Sequence, residues 1–235
     1  MMFPIAILAG GLATRLQPIT ETVPKSLIKV AGRPFIYHQL DWFREEGIDR
    51  VVLCVGYLGE QIVDAVGDGA AFGLSVEYSF DGDKLLGTGG ALKKAIPMLG
   101  KTFFVLYGDS YLQCSFSDVQ TAFEVAGKPA LMTVFRNEGR WDRSNAVFND
   151  ARLVKFDKRK PDPEMQYIDY GLSVIDANAF SSYGLDEVLD LADMFSALSA
   201  RGQLAGYEVS KRFYEMGSRA GLRETEEFLL QRNKK

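Results

Sequence analysis

Leu8-Ala9-Gly10-Gly11-Leu12-Ala13-Thr14-Arg15-Leu16 ends an Ile- and Leu-rich run, residues 3–9, with two glycines and then an arginine. The run predicts a buried strand, and the glycine pair predicts the turn that closes it. Open α/β sheets bind ligands outside the carboxyl ends of their strands, so a loop here is a candidate site. Without a Cβ, paired glycines let the backbone turn sharply and bring its N–H groups against phosphate oxygens. Arg15 adds a permanently charged planar fork suited to a triphosphate. A tight surface turn with a solvated arginine would carry the same residues, so the pattern alone leaves both readings open.

Two common phosphate motifs are absent. The chain has no G-x-G-x-x-G and no G-K-[ST], which argues against a dinucleotide fingerprint and against a P-loop. Instead Pro24-Lys25-Ser26-Leu27 follows shortly after Arg15. A lysine in that position can neutralise phosphate charge from the opposite side of the loop.

Outward from the loop, strand-like and helix-like stretches alternate. Strands are predicted over 50–55, 74–79 and 102–107, and helices over 34–46, 58–66 and 90–98. This alternation implies an α/β fold of Rossmann-like type, a mainly parallel sheet sandwiched by helices. The second half is less regular. Strands are predicted over 130–135, 152–156, 167–175, 204–209 and 213–216, with helices over 185–200 and from Ser218 to about 232. The second half is expected to extend the same sheet, giving a single domain over residues 1–235.

Composition narrows the chemistry. The chain has 235 residues, 47% of them hydrophobic and 25% charged, as in an ordinary globular enzyme. Lys plus Arg number 27 against 31 Asp plus Glu, a net charge of −4, which argues against nucleic acid as a partner. No apolar run approaches the ~20 residues of a membrane span, and no cleavable leader is recognised at residues 1–4, so the expected location is the cytoplasm, with no membrane partner. One histidine, His38, excludes zinc sites built on several imidazoles, and His38 itself suits a structural role inside the first long helix. Cys54 and Cys114 cannot make a disulfide framework, and neither sits in a nucleophile motif. Carboxylates, lysines, arginines and backbone amides are left to carry the chemistry.

Leu8-Ala9-Gly10-Gly11-x-Ala13-Thr14-Arg15-Leu16-x-Pro18-x-Thr20, followed by Pro24-Lys25, resembles the signature of the sugar-1-phosphate nucleotidyltransferases. Ala13 stands where many members have glycine. Further matches cover nearly the whole chain: Gly32-Arg33-Pro34-Phe35-Ile36, Leu86-Gly87-Thr88-Gly89-Gly90-Ala91, Gly108-Asp109 and Tyr214-Glu215-Met216-Gly217-Ser218. The resemblance is strongest to the heptose- or mannose-1-phosphate guanylyltransferases. A compact uridylyltransferase subgroup acting on N-acetylmuramic acid 1-phosphate stands second.

The resemblance implies an enzyme that joins an NTP, GTP first, to a sugar 1-phosphate and releases pyrophosphate. Residues 1–110 would hold the nucleotide and 111–235 the sugar. Leu8, Ala9, Gly10, Gly11, Thr14, Arg15, Lys25, Gly87 and Thr88 would bind nucleotide, with Arg15, Lys25 and Asp109 catalytic. Asp109 and Glu215 would hold Mg²⁺ (or Mn²⁺), although many members carry Asp where Glu215 stands. Lys158, in Phe156-Asp157-Lys158-Arg159-Lys160-Pro161, would hold the sugar phosphate, unless a short insertion makes Lys160 the counterpart. Asp169 and Gly171, in Tyr170-Gly171-Leu172, would face the sugar. Trp141, Arg143 and Asn145 suit either a lid or the subunit contact of a homodimer. No β-helix extension of the kind some relatives carry is recognised. A catalytically silent nucleotide-sugar sensor and a nicotinamide-dependent oxidoreductase are the rival classes; the retained Arg15, Lys25 and Asp109 oppose the first, and the missing dinucleotide fingerprint opposes the second.

The loop reading makes Arg15 testable. Arg15→Ala should lower kcat/KM for pyrophosphate release by about 10²-fold or more, as for other lost electrostatic donors. Arg15→Lys should also be poor, because an ammonium does not reproduce the fork. Near-normal turnover in Arg15→Ala would remove this loop from the mechanism.

Overall fold

The structure, a computed structural model, describes residues 1–149, 152–160, 162–185 and 187–232. Asp186, inside the helix expected over 185–200, and Pro161, at the end of the basic motif, lie outside the described residues. In chain order the first half runs β1 (Ile5–Leu8), β2 (Lys29–Val30), β3 (Arg33–Pro34), α1 (Phe35–Glu45), β4 (Arg50–Val55), α2 (Gly59–Val66), β5 (Ser75–Phe80), α3 (Gly87–Leu99) and β6 (Thr102–Tyr107). Then follow β7 (Ser110–Tyr111), α4 (Phe116–Ala126), β8 (Ala130–Arg136), β9 (Ala146–Asn149), β10 (Arg152–Phe156), β11 (Tyr167–Asp176), α5 (Leu191–Ala200), β12 (Leu204–Val209), β13 (Tyr214–Glu215) and α6 (Arg219–Arg232).

Among the described residues one nine-stranded sheet, ordered β5-β4-β1-β6-β11-β8-β12-β10-β9, runs through both halves. Strands β5, β4, β1 and β6 are parallel, so their carboxyl ends form one edge. Beyond β6 the expected mainly parallel pairing gives way to mostly antiparallel pairing, with β12 on β8 as the parallel exception among the described residues. Strand β11 runs antiparallel to both β6 and β8, and β10 runs antiparallel to β12 and β9, so the sheet is mixed. Parallel neighbours need a crossover, usually helical, and the chain between β8 and β11 holds only β9 and β10 among its described residues.

Period-two alternation sorts each strand's side chains onto two faces. On β4, Val51, Leu53 and Val55 join the apolar layer under α1, α2, α4 and α6, while Val52 and Cys54 join the layer under α3 and α5. Phe104 and Leu106 of β6 face the first layer, Phe103 and Val105 the second. Helix α4 escapes the sequence reading, although Ser115 caps it by accepting from the Asp118 N–H at 3.2 Å. Helix α5 is shorter than expected because Asp190 accepts from the Ala192 N–H and starts it at Leu191. Leu189, just before Asp190, meets the start of α3 instead.

Phe116 is fully buried at the junction of α4, α1 and the sheet, with the rings of Trp42, Phe43 and Phe104 at 4.9, 6.0 and 5.0 Å. Phe116→Ala should cost about 3–5 kcal/mol of unfolding free energy, read from urea denaturation with an unchanged m-value. A loss under about 1 kcal/mol would mean that this side of the core repacks freely.

Candidate active site

The carboxyl edge of β5, β4, β1 and β6 opens into a cleft of about 250 Å³. Leu8, Ala9, Gly10 and Gly11 form one wall, with Lys25 and Asp109 also lining the space. Gly87 and Thr88 at the start of α3 line it too. Eight of the residues expected from sequence therefore share one cavity.

Close backbone approach explains the glycines here. A Cβ on Gly10 would lie 3.0 Å from the Gly56 nitrogen, and one on Gly108 would lie 2.7 Å from the Leu8 carbonyl oxygen. The Ala9 N–H donates to the Cys54 carbonyl at 2.9 Å and the Gly108 N–H to the Leu8 carbonyl at 3.0 Å. These bonds lock the loop ends onto the edge of the sheet.

Lys25 and Asp109 meet directly. The Lys25 ammonium donates to Asp109 Oδ2 at 2.5 Å, with 18% and 33% of the two side chains exposed, so the pair borders the cleft and remains reachable. Ser26 beside it is 3% exposed, lines the cleft, and its buried Oγ has no hydrogen-bond partner among the described residues. A buried hydroxyl of that kind carries a desolvation cost that a ligand atom can offset.

Thr14 and Arg15 lie apart from the cleft wall, exposed in a 3₁₀ turn over Thr14–Leu16. The turn starts from Ala13, whose φ of +46° is left-handed. That conformation costs a non-glycine residue about 1–2 kcal/mol. It is held by the Thr20 hydroxyl, which donates to the Ala13 carbonyl at 3.0 Å, and by the Leu16 N–H at 3.1 Å.

The start of α3 is clamped from the second half. The Gly89 and Gly90 N–H groups both donate to the Leu189 carbonyl, at 2.8 and 3.2 Å, and added Cβ atoms there would collide with Leu189 and Glu187. The Thr88 hydroxyl donates to Asp190 at 3.1 Å and accepts from the Leu191 N–H at 2.8 Å. Thr88 therefore borders the cleft while its hydroxyl ties α3 to α5.

On the sugar side of the expected site, the Lys158 ammonium lies 6.0 Å from the centre of the Tyr107 ring, and Tyr107 lines the cleft. Of the neighbouring basic residues, Arg159 turns to Asp193 at 2.7 Å, and the Lys160 backbone N–H joins a turn closed by Asp157. Asp169 Oδ1 accepts from the Gly171 N–H at 2.9 Å, and a Cβ on Gly171, at φ +103°, would sit 3.4 Å from Ser110 Oγ. Asn145 ties three segments together. Its Oδ1 accepts from the Asp169 N–H at 2.9 Å, its N–H donates to Tyr167, and its carbonyl accepts from Asp157, next to Lys158. Trp141 stacks on the Arg212 guanidinium, 3.7 Å from its ring centre, and Arg212 lies 4.5 Å from the Tyr214 ring centre.

Glu215 sits opposite Ser110 in the β7–β13 ribbon, one residue on from Asp109. One of its carboxylate oxygens accepts from the Gly217 N–H, and the other accepts from the Ser218 hydroxyl at 2.9 Å. Ser218 in turn accepts from the Gly221 N–H at 2.9 Å, the cap expected for the last helix. An anion at a helix N-terminus is favourable, so Glu215 has a structural task here. A Cβ on Gly217 would lie 2.5 Å from Glu215 Oε2 and 3.6 Å from Lys25 Nζ, so a side chain at that position would intrude between the two charges.

The sequence reading missed Ser26, Asp81, Leu85, Tyr107 and Ala91 of the cleft wall. For Asp81 a signal existed, since it follows a strand predicted to be parallel, where ligand loops begin. Burial pushes its carboxyl above the usual carboxylate range, opposed by the Leu86 N–H and the Lys94 charge. Burial likewise pushes the Tyr107 hydroxyl well up, helped by the charges of Asp169, Asp190 and Asp109, so Tyr107 stays a phenol.

Burial pushes Asp169 up to about 6, against the opposing Gly171 N–H and the Lys158 charge. A carboxyl whose pKa is raised on folding stabilises the fold most below its unfolded value, about 3.9, and loses that contribution as pH rises through the folded value. The unfolding temperature should therefore fall between pH 5 and pH 7 more steeply in the parent than in Asp169→Asn. Parallel curves for the two proteins would place the Asp169 carboxyl in water.

A model of the family described as nucleotidyl transferase matches residues 5–221. The N-acetylmuramate alpha-1-phosphate uridylyltransferase of Neisseria meningitidis serogroup B is 39% identical over 121 residues, 51% of either chain. The D-glycero-alpha-D-manno-heptose 1-phosphate guanylyltransferase of Campylobacter jejuni is 26% identical over 200 residues, 83% of this chain and 87% of that one. The match spans about half or less of the length of several other curated relatives. Among solved structures, HddC from Yersinia pseudotuberculosis complexed with GMP-PN shares the fold, with a TM-score of 0.80 at 22% identity over 97% of this chain and 100% of that one. With its model covering the loop, the cleft and the last ribbon, the chain belongs to the nucleotidyl transferase family.

Proposed function

We propose that this protein transfers a nucleotidyl group from an NTP, GTP first, to a sugar 1-phosphate of heptose or mannose type, releasing pyrophosphate. The observation that carries the reading is the Lys25–Asp109 pair, facing the glycine-loop cleft at the carboxyl ends of β1 and β6. Residues 1–110 would bind the nucleotide and 111–235 the sugar, within a cytoplasmic enzyme. No helix among the described residues is long and apolar enough to cross a membrane. Uridylyl transfer to N-acetylmuramic acid 1-phosphate is the second reading, favoured by the 39% identity to the Neisseria enzyme.

The acceptor phosphate is already an anion at neutral pH, so no protein nucleophile or general base is required. What the chain must supply is position and positive charge. Amides of the glycine loop and Lys25 would hold the triphosphate, with Arg15 reaching in from its exposed turn. To touch phosphate, the Lys25 ammonium leaves Asp109, and that step frees a carboxylate beside the reacting phosphate. Lys158 would hold the acceptor phosphate next to Tyr107, while Asp169 would accept from a sugar hydroxyl.

A divalent ion suits the donor set, since Asp109 and Glu215 offer hard carboxylate oxygens from neighbouring strands. Asp109 is accessible for it, whereas Glu215 would have to give up a contact with Gly217 or Ser218. Bound there, Mg²⁺ (or Mn²⁺) would supply charge stabilisation at the α-phosphate.

Pairing each NTP with a panel of sugar 1-phosphates and measuring pyrophosphate tests the activity; no release with any pair would refute it. Asp109→Asn should lower kcat/KM by about 10²-fold or more while the fold survives. At position 215, kcat/KM should fall in the order Glu, Asp, Gln, with the Mg²⁺ requirement rising in the same order. If Glu215 only caps α6, its variants will lose unfolding temperature and leave the Mg²⁺ requirement unchanged.

A further inference from the structure

We infer that Gln39 is a positioning residue for the divalent ion: from inside α1 it fixes the short ribbon that carries Asp109 and Glu215. This role rests on the reading of those two carboxylates as an ion site, and the two can fail separately.

The ribbon has little of its own to hold it. Strands β7 and β13 are two residues each and, among the described residues, pair with each other apart from the nine-stranded sheet. A two-stranded ribbon is marginal in water by itself. Ser110 stands opposite Glu215, and the Met216 N–H donates to the Asp109 carbonyl at 2.9 Å, a bond that flanks this pair. Ser110 and Glu215 are therefore a non-hydrogen-bonded pair, whose own carbonyls point out of the ribbon. Each of those carbonyls needs a donor from elsewhere.

Both find one on a helix. The Gln39 side-chain amide donates to the Ser110 carbonyl at 2.9 Å, and the Thr225 hydroxyl of α6 donates to the Glu215 carbonyl at 3.0 Å. Gln39 and Thr225 are fully buried. Helices α1 and α6 thus grip the ribbon, one on each strand, and the grips are unequal. Thr225 has one hydroxyl proton and a nearer acceptor, the Gly221 carbonyl at 2.7 Å, so the Gln39 bond is the firmer. Gln39 also stands on a rigid base. Its helix neighbours Phe35, Ile36, Leu40 and Phe43 are fully buried, and the Trp42 ring lies 5.3 Å from that of Tyr111 on β7.

The other half of the amide shows what the residue is for. Gln39 Oε1 is buried with no hydrogen-bond partner among the described residues, a state that costs free energy. An apolar side chain would avoid that cost but would leave the Ser110 carbonyl without its donor. The amide is kept for that bond. From Ser110 the grip passes to the carboxylate, since the Ser110 hydroxyl donates to Asp109 Oδ1 at 3.4 Å. Groups that orient metal-binding carboxylates in this way carry about 10–100-fold in metal affinity. Mg²⁺ demands near-ideal octahedral geometry, whereas Ca²⁺ accepts a flexible shell, so a loosened ribbon discriminates against Mg²⁺.

Electron paramagnetic resonance of Mn²⁺ with the protein and GTP, and separately UTP, reads ion binding without the sugar phosphate and so without turnover. Competition with Mg²⁺ and with Ca²⁺ gives their dissociation constants. Gln39→Met keeps an unbranched side chain of similar length and removes the donor. In it the Mg²⁺ constant should rise about tenfold or more and the Ca²⁺ constant several-fold less, while nucleotide affinity in EDTA stays at the parent value. Thr225→Val should move the Mg²⁺ constant the same way by less, and Thr225→Ser, which keeps the hydroxyl, should match the parent. An unchanged Mg²⁺ constant in Gln39→Met, or equal rises for Mg²⁺ and Ca²⁺, would overturn the positioning role and leave the ion site and the transferase reading standing. A parent protein that binds nucleotide but no Mn²⁺ would overturn the ion site and this role with it. The two Thr225 variants decide if Gln39→Met folds poorly, and equal Mg²⁺ constants in both would overturn the grip on the ribbon.

Discussion

Everything at the site depends on how closely three backbone segments approach at the carboxyl edge of the sheet. Gly10 lies against Gly56, and Gly108 against Leu8 and Ala9, at distances where any Cβ would meet backbone atoms. This contact makes the loops after β1, β4 and β6 one surface rather than three separate turns. It also brings Asp109, one residue past Gly108, to the same edge as the glycine loop. Cavity, charge pair and exposed amides are all consequences of it.

On that surface the charges are arranged for exchange. Lys25 pairs with Asp109 at 2.5 Å, which spares a half-buried carboxylate from standing alone. Glu215 spends its oxygens on the Gly217 N–H and the Ser218 hydroxyl at the start of α6. On the proposed reading, a polyphosphate would draw Lys25 away, and its departure would leave Asp109 with an unpaired negative charge. Positive charge would then be called for as a nucleotide arrives, the order of events that the proposed NTP-dependent transfer needs.

Much of this was legible in the sequence, for identifiable reasons. Strands over 50–55, 102–107, 152–156 and 204–209 match the structure because apolar runs bounded by breakers are strong local signals. The glycine loop, Lys25 and Asp109 were legible because they sit just past strands or in a long motif. Helix α4 was hidden by its mixed composition despite the Ser115 cap. The antiparallel course of β11 was not legible, since strand direction depends on how the chain returns rather than on residue pattern. Asp81 and Ser26 were overlooked because a single Asp after a strand, or a Ser in a loop, is commonplace, and only burial with unfilled hydrogen-bonding capacity sets them apart.

The same logic applies to the coupling between halves. The amides at the start of α3 could have been a phosphate site, yet they are spent on Leu189, and Thr88 is spent on Asp190 and Leu191. On the proposed reading, phosphate recognition would therefore fall to the loop after β1, where Ala13 is held in a left-handed turn by Thr20 and Leu16. Strain of that kind persists only where surrounding bonds over-determine the backbone. The buried Thr20 hydroxyl thus does for Ala13 what the missing Cβ would do for a glycine, making a fixed loop out of a residue that would otherwise relax away from it.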